Sequence, residues 1–238
     1  MPHARATAVQ LDALSNLSTC EISDALVKLG HPTGGLVPDL ERFSGDADQT
    51  VIGEAFTVEM VQGDNTEAPK LEDHFIDLVT PGSVLFISSP SHVKSASLGG
   101  LLATALDRKQ VKGVMISGRC RDLKELRQLG LPVYARGHST LGQSPFTRPS
   151  RVQIPLTIDP DASTASGSES RFPPTDVHPF DVVVADIDGV VVIRPEKIDS
   201  VLELAKIGRE VDEKCRHDLE AGQGVKVTFA LHRGTKSK

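Results

Sequence analysis

Tryptophan is absent from this chain of 238 residues, and one tyrosine stands beside eight phenylalanines. A core so poor in aromatics must be built from Val, Leu, Ile and Ala, and this length suffices for one large domain or two small ones. The formal net charge is −6, and no basic stripe is interleaved with aromatics. Because contacts to phosphates require clustered Lys and Arg, the composition argues against nucleic-acid binding.

Cysteine is also scarce, and Cys20, Cys120 and Cys215 are widely spaced with no Cys-x-x-Cys pair. This odd, dispersed set predicts neither a disulfide framework nor a zinc knuckle, and it favours a reducing compartment. No hydrophobic run reaches the length of a membrane span, and the N-terminus lacks the apolar core of a signal peptide. We therefore expect a cytoplasmic protein with no membrane partner.

Motifs of several common enzyme classes are missing as well. The sequence contains no P-loop, no G-x-S-x-G and no H-E-x-x-H pattern, and its eight histidines are scattered without an i, i+4 pair. A His-rich zinc or iron site is therefore disfavoured. A metal bound by this chain is expected to have oxygen ligands, which is typical of Mg²⁺ or Mn²⁺.

Strand and helix patterns alternate through the middle of the chain. Ser18 and Glu21 form a capping box ahead of a short amphipathic helix, and residues 31–50 are predicted to be loop. The turn Gly63-Asp64-Asn65 could cap a second helix with the apolar face Leu71, Phe75 and Leu78. Strands are predicted over 51–61, 83–88, 113–118 and 131–135, and helices over 123–129 and from Gly99 to about Lys109, burying Leu98, Leu102, Ala105 and Leu106. This alternation indicates α/β packing with parallel strands.

The pattern changes beyond residue 136. Further strands are predicted over 151–158, 181–186 and 189–194, with a tight turn at Asp186–Gly189. The Ser-, Thr- and Pro-rich stretch 159–179 is expected to be a mobile surface insertion, because strands flank it. Pro195 starts a long helix whose apolar face is formed by Ile198, Val201, Leu202 and Ala205.

The most informative segment runs from Gly99 to Glu125. A glycine pair, Gly99-Gly100, opens a helix and offers bare backbone N–H groups to an anion. At the end of the next strand, Arg121 offers a planar guanidinium to a carboxylate, and Asp122 offers a ligand to a hard metal ion. Glu125, one helical turn on, could contact a metal-bound water. The segment suggests a small carboxylate substrate held beside a divalent ion.

Each of these patterns also has a purely structural interpretation. Asp122 followed by Glu125 is a common helix-capping pattern, and spacing alone favours that interpretation. Paired glycines often serve close packing, and residues 63–65 could form only a turn and an N-cap. Cys120 is expected to be a small buried side chain rather than a nucleophile, because no base is placed beside it by the sequence.

The order of the motifs nevertheless resembles the RraA-like family. Over about residues 15–215, four motifs are similar to those of the family: Gly63-Asp64-Asn65, Gly99-Gly100-Leu101-Leu102, Gly118-x-x-Arg121-Asp122 and Asp186-x-Asp188-Gly189-Val190-Val191-Val192-Ile193. The family contains regulators of ribonuclease activity and 4-hydroxy-4-methyl-2-oxoglutarate aldolases. The resemblance implies a single α/β domain over residues 1–238 with a three-layer β/β/α, swivelling-domain-like fold. It also implies a homotrimer or a dimer of trimers, with sites at the subunit clefts.

Within the family, the chain resembles the eukaryotic branch of fungal and plant type. Family aldolases carry an acidic residue, twenty residues and then Arg-Asp, whereas here Gly100 holds the acidic position and Glu125 follows Asp122 by three residues. The resemblance implies a lyase dependent on Mg²⁺ or Mn²⁺ that cleaves a small 2-oxo acid, by aldol cleavage or oxaloacetate decarboxylation. Two alternatives remain: a non-catalytic regulatory binding protein, and a 2-oxo acid tautomerase using the same site.

The resemblance also assigns roles to individual residues. Arg121 is implied to contact the carbonyl or enolate oxygen, Asp122 to bind the metal directly, and Glu125 to hold a metal-bound water, while a neighbouring subunit supplies a further acidic group. The pyruvyl carboxylate is implied to bind four backbone N–H groups, those of Gly99, Gly100, Leu101 and Leu102. Pro179-Phe180-Asp181 stands where the family usually has Pro-Gly-Asp, away from the proposed metal site.

Overall fold

Four parallel strands form the centre of the molecule, and their buried positions are mainly apolar. The computed structural model describes residues 5–160 and 172–234. The parallel strands are β3 (Val51–Gln62), β4 (Val84–Ser88), β5 (Gly113–Cys120) and β6 (Val133–His138). Because successive side chains point to opposite faces, Leu85 and Ile87 of β4 enter one core while Val84 and Phe86 enter another.

Antiparallel strands extend this sheet and curl it. β1 (Leu36–Val37), β11 (Val190–Ile193) and β10 (Val182–Ala185) add to it in that order, with β10 pairing with β3. β2 (Glu41–Ser44) pairs with β6 at the other edge, and β7 (Thr147–Val152) pairs with β3. A separate hairpin consists of β8 (Leu156–Ile158) and β9 (Thr175–Val177) and packs into the core inside the curled sheet.

The helices cover the sheet in two groups. In the described residues they are α1 (Ala8–Leu14), α2 (Thr19–Lys28), α3 (Phe75–Leu78), α4 (Gly100–Arg108), α5 (Leu123–Leu129), α6 (Ile198–Glu220) and α7 (Val225–His232). Helices α3, α4 and α5 share a core with the parallel strands, and α1, α2 and α6 share another with β10 and β11. The result is a single α/β domain with a mixed, curled sheet and helices, as the sequence predicts.

Several predictions of local structure are confirmed in detail. The side chains of Ser18 and Glu21 each accept a hydrogen bond from the other's backbone N–H, so the capping box is complete. The strand, helix, strand and helix from residue 84 to residue 129 are present within two residues of the predicted bounds. The long helix α6 begins at Ile198, after a 3₁₀ turn at Pro195–Lys197.

Other predictions of local structure are wrong. Residues 31–50 contain β1 and β2, which are too short for a hydrophobic period to show in the sequence. The helix expected after Asn65 is only the four-residue α3, because the Asn65 side chain accepts the N–H groups of Glu67 and Ala68 and so forms a local turn. On α4, Ala105 is exposed and Ala103 is buried instead.

The later strands and the predicted insertion differ from expectation too. The strand expected over 151–158 is divided between β7 and β8, because Gln153 between them has a left-handed φ of 52°. Most of the predicted insertion, residues 161–171, lies outside the described residues. Its end is the strand β9, so residues 175–177 belong to the fold rather than to an insertion.

All three cysteines are free thiols, with Cys20 exposed and the other two buried. Within residues 5–160 and 172–234, no helix is long and apolar enough to cross a membrane.

Candidate functional site

The two ends of the Gly99–Glu125 segment meet at the carboxyl ends of the parallel strands. Leu98 forms a parallel bridge with Cys120, the last residue of β5. The Ser97 N–H donates to the carbonyl of Arg119 at 2.8 Å, and the Arg121 N–H donates to the carbonyl of Leu98 at 2.9 Å. These bonds set the start of α4 beside the start of α5, at the edge where open α/β sheets commonly bind ligands.

Asp122 occupies the N-cap position of α5 but does not cap it with its side chain. Its backbone is left-handed, with φ 59° and ψ 43°, and its side chain makes no capping hydrogen bond. Instead, Oδ2 accepts the Gly100 N–H at 3.1 Å and lies 3.4 Å from Nε of Arg121. The capping-box interpretation of Asp122 is therefore wrong, because the left-handed backbone turns the carboxylate toward α4. A non-glycine residue in this conformation is uncommon and clusters at functional sites.

The glycine pair is required by the close approach of these side chains. A Cβ on Gly99 would lie 2.6 Å from Oδ2 of Asp122 and 3.0 Å from Nε of Arg121. A Cβ on Gly100 would lie 1.8 Å from Oε2 of Glu125 and 2.8 Å from its Cδ. The carboxylate of Glu125 thus occupies the volume that any side chain at position 100 would need. Both glycines serve close packing, and what packs against them is the predicted site.

The predicted site residues line a single cavity of about 460 Å³. Gly99, Leu101, Leu102, Arg121, Asp122 and Glu125 all contribute to its wall, and Gly100 is buried behind it. Leu101 is 86% exposed, so the cavity is open to solvent on that side. The Arg121 guanidinium passes close to Gly142, where a Cβ would lie 3.0 Å from Nη1. The structure therefore brings together the candidate site residues of the Gly99–Glu125 segment.

Sequence reasoning missed two polar residues of the cavity wall, Ser97 and Gln143. The Ser97 hydroxyl is buried and lies 2.6 Å from the hydroxyl of Ser89. Its place in a run of small residues just before Gly99 is the signal that could have found it. Gln143 lies 22 residues after Arg121 with no motif around it, so only the folded chain places it here.

A larger cavity, of about 700 Å³, lies between the N-terminal segment and β3. None of the predicted site residues lines it. Of its two carboxylates, Glu54 is paired with Arg5, whose guanidinium also stacks on the ring of Phe180, and Asp12 also lines the wall. Size alone therefore does not identify the site, and the smaller cavity is the one lined by Arg121, Asp122 and Glu125, which the sequence singles out.

The chemistry of the donor groups fits a hard divalent ion. Asp122 and Glu125 both present carboxylate oxygens at the cavity, and Mg²⁺ is commonly held by one or two carboxylates while keeping several waters. Within the described ranges, no cluster of three or more His, Cys, Asp or Glu residues could enclose a metal ion. Burial raises the pKa of the Cys120 thiol to about 11, so this neighbour of Arg121 is not a thiolate ligand or nucleophile.

The fold and the site together define an RraA-like protein. A sequence model of the RraA-like family, described as Aldolase/RraA, matches residues 19–192. The chain therefore belongs to the RraA-like family. A relative from Halalkalibacterium halodurans, named "Putative 4-hydroxy-4-methyl-2-oxoglutarate aldolase", is 28% identical over 199 residues, covering 84% of this chain and 82% of the relative.

Two solved structures share the fold at lower sequence identity. A protein of Pseudomonas syringae, described as uncharacterized, superposes with a TM-score of 0.75 at 22% identity, over 95% of this chain and 99% of its own. Streptomyces coelicolor RraAS2, described as an unusual member of the RNase ES inhibitor RraA protein family, gives a TM-score of 0.70 at 23% identity. That match covers 90% of this chain and 99% of RraAS2.

Proposed function

We propose that this protein is a divalent-metal-dependent carbon–carbon lyase that cleaves a 2-oxo acid through a pyruvate enolate. The reaction is aldol cleavage, as in a 4-hydroxy-4-methyl-2-oxoglutarate aldolase, or decarboxylation of oxaloacetate. The observation that carries this proposal is the convergence of Arg121, Asp122 and Glu125 with the Gly99–Leu102 backbone on one cavity. Membership of the Aldolase/RraA family and the name of the H. halodurans relative support it.

The metal would be held by the two carboxylates of the cavity. Asp122 would bind Mg²⁺ or Mn²⁺ directly, and Glu125 would hold a metal-bound water. A bound divalent ion supplies Lewis-acid polarisation of the oxygen atoms of a 2-oxo acid. The Gly100 N–H donates to Oδ2 of Asp122 and would help to orient this carboxylate for a metal ion.

The first turn of α4 is the proposed binding site of the 2-oxo acid carboxylate. The N–H groups at a helix start have no intrahelical acceptor, and the helix dipole favours an anion there. Because the Gly100 N–H already donates to Asp122, the N–H groups of Gly99, Leu101 and Leu102 are the ones left for the substrate. The absence of a side chain at Gly99 also leaves room for the ligand.

Arg121 is the proposed stabiliser of the charge that develops during bond cleavage. Aldol cleavage and decarboxylation both leave an electron pair that becomes an enolate, whose oxygen carries the negative charge. The guanidinium of Arg121 lines the cavity, and its Nε lies 3.4 Å from Oδ2 of Asp122. A donor aimed at the developing charge typically accounts for a factor on the order of 10²–10³ in rate.

The eukaryotic-branch assignment also remains a proposal. It depends on the pattern of Gly100, twenty residues, Arg121-Asp122 and then Glu125. The packing of Glu125 into the volume beside Gly100 supports the idea that the glutamate replaces an acid at position 100. The relatives named above are bacterial, so the branch assignment depends on this pattern alone.

We further propose a homotrimer or a dimer of trimers, in which a neighbouring subunit supplies an additional acidic group to the site. Membership of the RraA-like family supports this proposal. Light scattering coupled to size-exclusion chromatography gives the mass directly. A monomer at micromolar concentration would contradict the assembly.

The test of the function is pyruvate release from oxaloacetate and from 4-hydroxy-4-methyl-2-oxoglutarate, with and without EDTA. We expect release with Mg²⁺ or Mn²⁺ and its loss with EDTA or in Asp122→Ala. Activity that survives both changes would exclude the metal role. Absence of pyruvate, with a stable heteromeric complex whose phenotype survives Arg121→Ala, would favour the regulatory alternative. Conversion without C–C cleavage, seen by product analysis, would favour the tautomerase.

A further inference from the structure

We propose that the hydroxyl of Ser97 donates a hydrogen bond to the pyruvyl part of the substrate, and that Ser89 is the positioning residue that orients this hydroxyl. The inference rests on the proposed function and adds a side chain to the same cavity. Neither serine belongs to the motifs that carry Arg121, Asp122 and Glu125. The pyruvyl part is common to oxaloacetate and 4-hydroxy-4-methyl-2-oxoglutarate, so the contact would serve both substrates.

Ser97 is a buried polar residue in the wall of the candidate site. It is 1% exposed, and it lines the cavity together with Gly99 and Arg121. Its hydroxyl oxygen lies 2.6 Å from that of Ser89, a half-buried residue that directly follows β4. In the described part of the chain, the Ser97 side chain makes no other hydrogen bond. A buried hydroxyl with a single partner, placed beside a cavity, has hydrogen-bonding capacity left for a ligand.

The two hydroxyl groups carry two hydrogen atoms but share one hydrogen bond. When Ser89 donates to Ser97, the hydrogen of the Ser97 hydroxyl is left for the cavity. When Ser97 donates instead, the hydrogen of the Ser89 hydroxyl is the one left over. An anionic oxygen in the cavity favours the first arrangement, because hydrogen bonds to charged groups are the stronger ones and a hydroxyl that already accepts a bond is a better donor. The pair can therefore respond to a bound anion by rotation of two hydroxyl groups alone.

The backbone of Ser97 is fixed at the end of the cavity where the pyruvyl group is proposed to bind. The Ser97 N–H donates to the carbonyl of Arg119 at 2.8 Å. The Arg121 N–H donates to the carbonyl of Leu98, the next residue, at 2.9 Å. Gly99 then forms the N-cap of α4, whose first turn is the proposed carboxylate site. Because Ser97 lies between the strand that leads to Arg121 and the start of α4, we assign its hydroxyl to the pyruvyl part rather than to the tail.

A titration with oxalate tests this contact without requiring turnover. Oxalate is a planar dianion that resembles the pyruvate enolate, and it would be titrated calorimetrically into the full chain with Mg²⁺. We expect Ser97→Ala to weaken oxalate binding by about tenfold to hundredfold, as for the loss of a hydrogen bond to a charged group.

Ser95→Ala is the matched control for both binding and kinetics. Ser95 is 4% exposed and lies two residues before Ser97, and its hydroxyl has no hydrogen-bond partner among the described residues. It does not line the cavity. This variant should therefore bind oxalate as tightly as the wild-type chain does, although it makes the same chemical change in the same segment.

The kinetic arm measures pyruvate release from oxaloacetate and from 4-hydroxy-4-methyl-2-oxoglutarate. Ser97→Ala should lower kcat/KM by about tenfold to hundredfold for both substrates, because the contact is with the part that they share. Ser97→Cys is similar in size but a weak donor, so it should lose nearly as much. A Ser97→Cys variant with full activity would show that the serine only fills space, and this would overturn the inference.

A double-mutant cycle tests the positioning role of Ser89. Ser89→Ala should lower kcat/KM by about two- to tenfold in the wild-type chain, the effect of a neutral hydrogen bond. It should have no further effect when Ser97 is already alanine, because Ser89 acts through that hydroxyl. Equal effects in the two backgrounds would overturn the positioning role. Urea denaturation of each variant verifies that it is folded.

The outcomes separate this inference from the function on which it rests. If the wild-type chain releases pyruvate and Ser97→Ala lowers the rate no more than Ser95→Ala does, the inference is overturned and the lyase stands. A loss confined to one of the two substrates has the same meaning, because it would place the contact at the tail. Absence of pyruvate from both substrates, with oxalate binding that Ser97→Ala weakens, overturns the lyase and supports the contact. A wild-type chain that does not bind oxalate overturns the inference.

Discussion

The backbone N–H of Gly100 donates a hydrogen bond to Oδ2 of Asp122, 22 residues later in the chain, at 3.1 Å. This bond joins the start of α4 to the start of α5. It explains why Asp122 adopts a left-handed backbone at a helix N-cap without capping the helix. The geometry of the site can therefore be tested separately from its charge.

Asp122→Asn is expected to separate the effect of the geometry of the site from the effect of its charge. Asparagine tolerates the left-handed conformation and retains an oxygen that can accept the Gly100 N–H. The free energy of unfolding should change by less than about 0.5 kcal/mol, as for a surface substitution. Because the ligand charge is lost, metal-dependent pyruvate release should fall on the order of 10²–10³-fold. Urea denaturation and the coupled pyruvate assay measure the two effects, and a variant as active as the wild type would refute the role of Asp122.

Gly100→Ala is expected to displace Glu125, because the new Cβ would lie 1.8 Å from Oε2. Pyruvate release should fall by about tenfold or more, as for a misplaced catalytic group. Gly208→Ala in α6 is the matched control, since only the end of a lysine side chain, Nζ of Lys28 at 3.5 Å, is near its Cβ. That variant should keep full activity and gain about 0.5–1 kcal/mol in stability from helix propensity. Equal activity of the two variants would count against the role of Glu125.

Asp181 is expected to make stability depend on pH between about 4 and 6. Its side chain is 3% exposed, accepts the His178 N–H at 2.7 Å and lies 3.3 Å from Nη1 of Arg194. Burial is the main cause that raises the pKa of Asp181 to about 6. The native state therefore holds a proton that the unfolded chain releases near pH 4, so this contribution to stability falls as pH rises through that window, by about 3 kcal/mol at most, and is constant above it.

Asp181→Asn should remove this dependence while keeping an acceptor for the His178 N–H. The measurement is the free energy of unfolding in urea, from pH 4 to pH 7.5, for both proteins. The variant's stability minus that of the wild type should rise between about pH 4 and 6 and then level off. A difference that stays flat or declines over this range would show that the carboxyl is ionised throughout.

Ser18→Ala is expected to cost about 1 kcal/mol of stability, because it removes one half of the capping box of α2. Glu21 should stay in place, since Nε of Arg209 lies 2.6 Å from its carboxylate. Ser91→Ala provides the comparison: Ser91 is exposed and caps no helix. Thermal or urea denaturation measures both, and equal stabilities of the two variants would argue against the cap.

The sequence predicts the centre of the fold well because strong local signals act there. The parallel strands contain apolar runs such as residues 84–87 and 114–116, and the capping box at Ser18 is a local pattern with a defined geometry. The strand β1 has only two residues, so it is too short to show a hydrophobic period. Its place beside β11 depends on its pairing with residues 190 and 191, far away in the chain. Pairings between distant residues of this kind are decided by tertiary structure and leave no local trace.

The candidate site also combines features that have a local sequence signal with features that have none. The pairing of Gly99-Gly100 with Arg121-Asp122 is visible in the sequence as an ordered set of motifs. The left-handed φ of Asp122 is not, because an Asp three residues before a Glu is most simply a capping pattern. Gln143 carries no signal at all, since it comes to the cavity only when the chain after β6 folds back over Arg121.

The carboxylate of Glu125 occupies the space that a side chain at position 100 would need. An acidic side chain could fill this space from position 100 on α4 or from position 125 on α5, but not from both at once. Moving the acid from one position to the other would therefore require two substitutions. A variant with only one of them would have either two side chains in this space or none. Substitutions at positions 100 and 125 should therefore occur together. The two positions are 25 residues apart in sequence, but their side chains would share one volume in the folded protein.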